Sequence, residues 1–204
     1  MKHASTRELF AYWNGRRGAR VAPERAEIDP GAIRTALGDT FLLASAPDGG
    51  HTFRLAGTRV CALFGRELKG ECFISLWEDA DRAAARSLLR IVATEMVGVV
   101  AGAAGHSSEG PRVDLELLLL PLRHCGRGGT RMIGALAPLD APFWIGASLV
   151  RRLRLGAWRH TATEHARKRV GPGLRGHHPH GLVIYDGGRL NNLNKANGPL
   201  TAPE

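Results

Sequence analysis

The chain has 204 residues, 44% of them apolar and 23% charged, which suits one soluble domain with a real core plus extensions. The net charge of +9 is uneven: residues 1–150 hold 18 Lys/Arg against 16 Asp/Glu, and residues 151–204 hold 10 against 3. Cys61, Cys72 and Cys125 form no CxxC pair, and no apolar run approaches the ~20 residues of a membrane span, so a disulfide framework, a zinc ribbon and a spanning helix are all excluded as expectations.

In chain order, Thr6–Asn14 reads as a short amphipathic helix with Leu9, Phe10 and Trp13 at helical spacing and Ser5 or Thr6 as its cap. Gly15 and Gly18 break that pattern. Asp29-Pro30 starts a second helical segment, with Asp as cap and Pro at the first helical position, and Ile33 and Leu37 give it an apolar face. Thr40–Ala46 and Thr52–Ala56 are β-rich and flank Pro47-Asp48-Gly49-Gly50, which predicts a hairpin. Gly57–Phe64 is a short helix and Arg66–Cys72 a turn-rich linker. Phe73–Leu76 leads into the longest helix, Glu78–Met96, with Ala80, Ala84, Leu88, Ile91 and Met96 near one face.

Val97–Gly105 is small and β-compatible, and His106–Pro111 is a loop. Val113–Leu122 alternates and then runs continuously apolar, as a strand with at least one buried face does. Gly126–Gly129 is a turn, and Thr130–Pro138 is the last core strand. Five strands and three helices in this order predict an α+β fold, one five-stranded antiparallel sheet with helices on one face. The expected division is an N-terminal helical cap (1–38), a core domain (39–140) and a basic C-terminal extension (141–204), partly helical and partly disordered. In the extension, Trp144, Leu149, Leu153 and Trp158 form the apolar side of an amphipathic helix carrying Arg151, Arg152, Arg154 and Arg159. Leu182–Arg189 suggests one more short strand and turn, and Asn191–Glu204 has a disordered composition.

The strand order resembles the PAS fold, and the segment FRLAGTRVCALFGRELKG followed by FISLW (from Phe53 to Trp77) carries the likeness. Leu63 to Gly70 follows the PAS pattern of two spaced glycines, with Arg66 in place of the usual aromatic. The segments Glu8–Gly15, Gly18, Ala22-Pro23 and Ile28-Asp29-Pro30 are also similar to those of a family of small alphaproteobacterial proteins that are little more than one PAS domain. Gly57, Gly65, Gly70 and Trp13 are scaffold positions of that pattern.

The resemblance implies a cavity between sheet and helices, which Leu55, Cys61, Phe64, Trp77, Leu88 and Met132 would line. It also raises three cofactor options. Haem is disfavoured because the long helix has no histidine. Photoactive flavin is disfavoured because no Asn-Cys-Arg-Phe-Leu motif is present. An unidentified small ligand remains open.

Catalytic constellations are missing: the sequence has no P-loop, GxSxG, HExxH or Rossmann glycine run. His106, Ser107, Ser108 and Glu109 form a polar loop without a paired base and acid. Asp114 and Glu116 share a strand face, where solvent exposure is the ordinary reading. His177, His178 and His180 lie in a Gly/Pro stretch without a fourth ligand at fixed spacing, so no metal site is expected.

The functional expectation is a cytoplasmic, non-catalytic sensory or interaction module that acts through a protein partner such as a histidine kinase. A homodimer or partner contact ranks above a membrane-surface contact. Nucleic-acid binding through the basic extension is the reading from another class, and it lacks aromatic–basic interleaving and a helix-turn-helix.

Overall fold

The computed structural model describes residues 1–46, 50–107, 112–124, 130–140 and 149–161. All of these lie in one unit, Met1–Arg169. Three α-helices are present among them: α1 (Ala4–Arg17), α2 (Thr58–Phe64) and α3 (Arg82–Glu95). Six strands accompany them: β1 (Thr40–Ser45), β2 (His51–Ala56), β3 (Val99–Ser107), β4 (Val113–Leu122), β5 (Arg131–Pro138) and β6 (Val150–His160).

The strands form one sheet in the order β2-β1-β5-β4-β3-β6, with every pairing antiparallel. The α+β class and the antiparallel sheet are as expected. The sheet gains a strand, because Val150–His160 pairs with β3 and is not a helix. Its arginines broke the alternation that would have marked it as a strand. Leu153 is nevertheless fully inward, at 1% exposure, while Arg151 and Arg152 are exposed.

Side-chain parity divides the core into two layers. On β4, Leu115, Leu117 and Leu119 join the cluster under α2 and α3, while Leu118, Leu120 and Leu122 join the cluster under α1. Both faces of the sheet are therefore covered, and only Asp114 of this strand is exposed. That double cover explains the unbroken apolar run of β4, which a half-solvated antiparallel strand would not have. Helix α1 lies on the face opposite α2 and α3, with Leu9 and Trp13 buried and the Trp13 indole donating to the Pro121 carbonyl at 2.8 Å.

Some boundaries move. Helix α1 extends through Gly15 to Arg17 and is capped by the His3 ring, which accepts from the Ser5 N–H at 3.1 Å. The Asp29-Pro30 start holds, with Asp29 accepting from Gly31, but it opens a single 3₁₀ turn, Pro30–Ile33. The long helix starts at Arg82, after a separate turn at Asp79–Asp81. Its buried face is Ala85, Leu88, Leu89 and Val92, while Ala80 and Ala84 are exposed. The alanine repeat misplaced that face by one position, since methyl groups add little burial energy to compete with Leu89 and Val92. The hairpin turn at 47–49, the turn at 126–129, Cys125, Trp144 and everything after 161 lie outside the described residues, including the expected strand at 182–189 and the histidines at 177, 178 and 180.

The connecting chain covers part of each sheet edge. Along β2, Phe53 exchanges backbone hydrogen bonds with Gly70 and Glu71 (2.8 and 2.9 Å). Along β6, Glu78 donates to the Leu153 carbonyl at 2.9 Å, and the Leu155 N–H donates to the Asp81 carboxylate at 3.0 Å. Unpaired edges invite pairing with other chains, and these contacts use up part of that capacity.

Candidate functional site

The space between the sheet and the α2–α3 layer is where the lining residues expected from the sequence would meet. Four rings fill its centre in series. Phe41 of β1 meets Phe53 of β2 at 5.5 Å between centroids, each meets Phe73 at 5.9 and 5.8 Å, and Phe73 meets Trp77 at 5.8 Å. Such spacings are those of favourable tilted and edge-on ring contacts. The two glycine-containing corners place this series. Gly65 ends α2 in the left-handed region (φ 64) and Gly70 turns at φ 88, which together bring Phe73 back under the sheet. Gly57 has another role: a Cβ there would stand 2.2 Å from the Leu37 carbonyl oxygen, so α2 starts only by touching bare backbone.

Of the expected lining residues, Phe64, Trp77, Leu88 and Met132 are buried together in this core. Cys61 is partly buried and packs at its rim. Leu55 does not join them and is 45% exposed. The cause is a bulge: Leu42 faces Leu55 while Leu43 faces Phe53, which leaves Arg54 as the extra residue and reverses the phase of β2 beyond it. Trp13 lies in the other layer, under α1.

The polar chemistry of the inner layer is sparse. The Trp77 indole N–H is buried without a hydrogen-bond partner. Burial pushes the Cys61 thiol above its usual range, and the neighbouring Glu67 carboxylate adds to the shift. Its sulfur lies 3.9 Å from the Ala56 carbonyl and 3.7 Å from Glu67, so it stays a protonated, poorly nucleophilic thiol. Helix α3 offers no imidazole to an iron. The inward side chains that β4 and β5 give this cluster include Leu115, Leu117, Leu119, Met132 and Leu136, all apolar. Among the described residues, no group of three or more His, Cys, Asp or Glu side chains is placed to hold a metal ion.

Two buried polar residues, Asp39 and His51, escaped the sequence reading, and Glu116, expected to face solvent, is buried as well. Glu116 is 6% exposed and accepts from the Lys2 and His3 N–H groups (2.7 and 3.0 Å) and from the Thr6 hydroxyl. Burial alone would raise its pKa, but the hydrogen bonds from Thr6, Lys2 and His3 outweigh it and hold the carboxylate below its usual range. It is an anchor for α1, while its strand-mate Asp114 pairs with Arg112 at the surface. Asp39, at 1% exposure, accepts from Ser5 of α1 at 2.6 Å and from Arg59 of α2 at 2.7 and 2.8 Å, so it ties the two helical layers across one end of the sheet. His51, at 8% exposure, shares a hydrogen bond with Thr130 at 3.3 Å, and burial lowers its pKa. A serine near a helix start and an arginine in a short helix carry no periodic signal, so only their joint approach to Asp39 reveals that link.

The basic positions are divided. Arg152 donates to the Ser75 carbonyl, and Arg154 pairs with Glu78 at 3.4 Å, so both fasten β6 to the segment beside it. Arg151 and Arg159 are exposed. Among the described residues, no helix is long and apolar enough to cross a membrane.

No curated protein is similar enough to this chain to count as a match. Two of the solved structures that match show partial likeness. One is a light-oxygen-voltage domain studied with a flavin analogue (17% identity, 57% of this chain and 87% of that one, TM-score 0.42). The other is an RNA-binding light-oxygen-voltage receptor (21% identity, 54% of this chain, TM-score 0.40), of which this chain spans only 33%. The PAS domain family matches residues 1–137, more than half of the chain, so the protein whose helices, sheet and ring-filled interior are described above belongs to the PAS domain family.

Proposed function

We propose that this chain is a non-catalytic sensory PAS module that works through a protein partner, a histidine kinase being the type of output protein expected. The supporting observation is the series Phe41, Phe53, Phe73 and Trp77, which packs the interior between the sheet and α2–α3 with apolar rings. A signal then has to be read at the surface and passed on by contact. Cys61 and Cys72 are free thiols, which suits a reducing cytoplasm. Of the four arginines expected to contact a partner, Arg152 and Arg154 are engaged within the fold, which weakens the nucleic-acid and membrane-surface readings and leaves Arg151 and Arg159 available to a partner or a second copy. Crosslinking of the full chain in its native cell tests the proposal. Reproducible recovery of a signalling output protein, reduced by Arg151→Glu with Arg159→Glu, is expected. Recovery of nucleic acid in its place, with binding that falls steeply as salt rises, would contradict it.

A further inference from the structure

A second space lies beside the aromatic interior, and none of the four rings lines it. It is a cleft of about 480 Å³ between α3 and the segments around β2. Arg86, Leu89 and Arg90 of α3 face His51, Cys72 and Ile74 across it. Arg86 and Arg90 are one helical turn apart and exposed, and neither side chain has an ion-pair or hydrogen-bond partner among the described residues. Two guanidinium groups at this spacing repel each other, and an anion between them would relieve that. Ile74, Leu89 and Ala93 give the cleft an apolar side, Ile74 and Leu89 being 5% and 2% exposed, beside His51 and Cys72. Exposed charge with an apolar side next to it is the arrangement that takes an amphipathic molecule. A planar carboxylate fits guanidinium forks by paired hydrogen bonds, and the volume lies within the ordinary range for small-ligand clefts.

We propose that this cleft binds a small amphipathic carboxylate, its head held by Arg86 and Arg90 and its short apolar chain laid on Ile74, Leu89 and Ala93. The inference rests on the sensory reading and names an input for it. Leu89 carries the signal inward, because the same side chain belongs to the core that packs α3 on the sheet. Binding therefore bears on the seating of α3 without entering the aromatic interior.

Octanoate titrated calorimetrically into the full chain is the probe. It is expected to bind saturably at millimolar concentrations or below, with 1-octanol, which has the same tail and no charge, about tenfold weaker or worse. Arg86→Gln with Arg90→Gln is expected to lower octanoate affinity about tenfold or more. Arg34→Gln with Lys69→Gln removes the same charge from exposed sites outside the cleft and is expected to leave affinity unchanged. Circular dichroism melts establish that both double variants are folded. Lack of saturation, equal binding of octanol, or unaltered affinity in the Arg86/Arg90 variant would overturn the inference. A chain that ignores octanoate yet still crosslinks to an output protein would lose this inference and keep the sensory reading.

Discussion

Trp77 is fully buried, touches Phe73, and leaves its indole N–H without a partner. Its worth to the fold is therefore apolar. Trp77→Ala is expected to cost about 3–5 kcal/mol in urea unfolding, the range for deleting a large buried ring. Trp77→Phe is expected to cost less than about half of that, because no hydrogen bond is lost with the indole and part of the ring volume is kept. Equal losses for the two variants would mean that Nε1 has a partner in solution. Gly57 gives the opposite case, in which added atoms do the harm. A methyl group 2.2 Å from the Leu37 carbonyl oxygen forces the backbone apart, so Gly57→Ala is expected to destabilise by about 1–3 kcal/mol in the same assay. The spacing of Gly65 and Gly70 was legible in the sequence because positive φ leaves a compositional mark. Gly57 was a scaffold position of the resemblance, but the reason for it, the close approach to Leu37, depends on a segment twenty residues upstream that no local pattern records.

At the level of elements, α1 is held to the sheet by polar anchors as well as by Leu9 and Trp13. The Glu116 carboxylate has a folded pKa below its unfolded one, because hydrogen bonds from Thr6, Lys2 and His3 outweigh the cost of burial. Its contribution is therefore complete above the unfolded carboxylate value of about 4.3 and is lost as pH falls through the lower folded value. Glu116→Gln is expected to lower stability at neutral pH by about 1–3 kcal/mol and to flatten the acid limb of the stability profile. Hydrogen exchange should show that loss first in the amides of α1. A steeper acid limb in the variant would refute the assignment. Strands β1, β4 and β5 and helix α2 were readable because their apolar patterns match what they bury, and β2 was readable as a strand although its bulge turns Leu55 outward. Strand β6 was misread because edge arginines interrupt its period. Arg152 and Arg154 reach sideways to Ser75 and Glu78, which a strand-face pattern does not encode. Leu153→Ala should cost about 2–4 kcal/mol if β6 is a core strand, against little change for Arg151→Ala.

Across the whole molecule, two apolar layers share one sheet, and Asp39 joins their helices through Ser5 and Arg59. The order of elements identified the architecture from sequence, since each local pattern agreed with the same fold. The lining set was only partly legible: Phe64, Trp77, Leu88 and Met132 converge, and Leu55 fails because one bulge in β2 reverses its direction. What fills the interior depends on ring geometry among Phe41, Phe53, Phe73 and Trp77, which come from distant parts of the chain. Central to the proposed function is a module that works without haem or flavin. It is tested most directly by the visible absorption spectrum and intact-complex mass of the freshly purified full chain. The account predicts a colourless protein with the 22.0 kDa mass of the chain or a whole multiple of it. A visible band accompanied by the extra mass of a flavin or haem would contradict it.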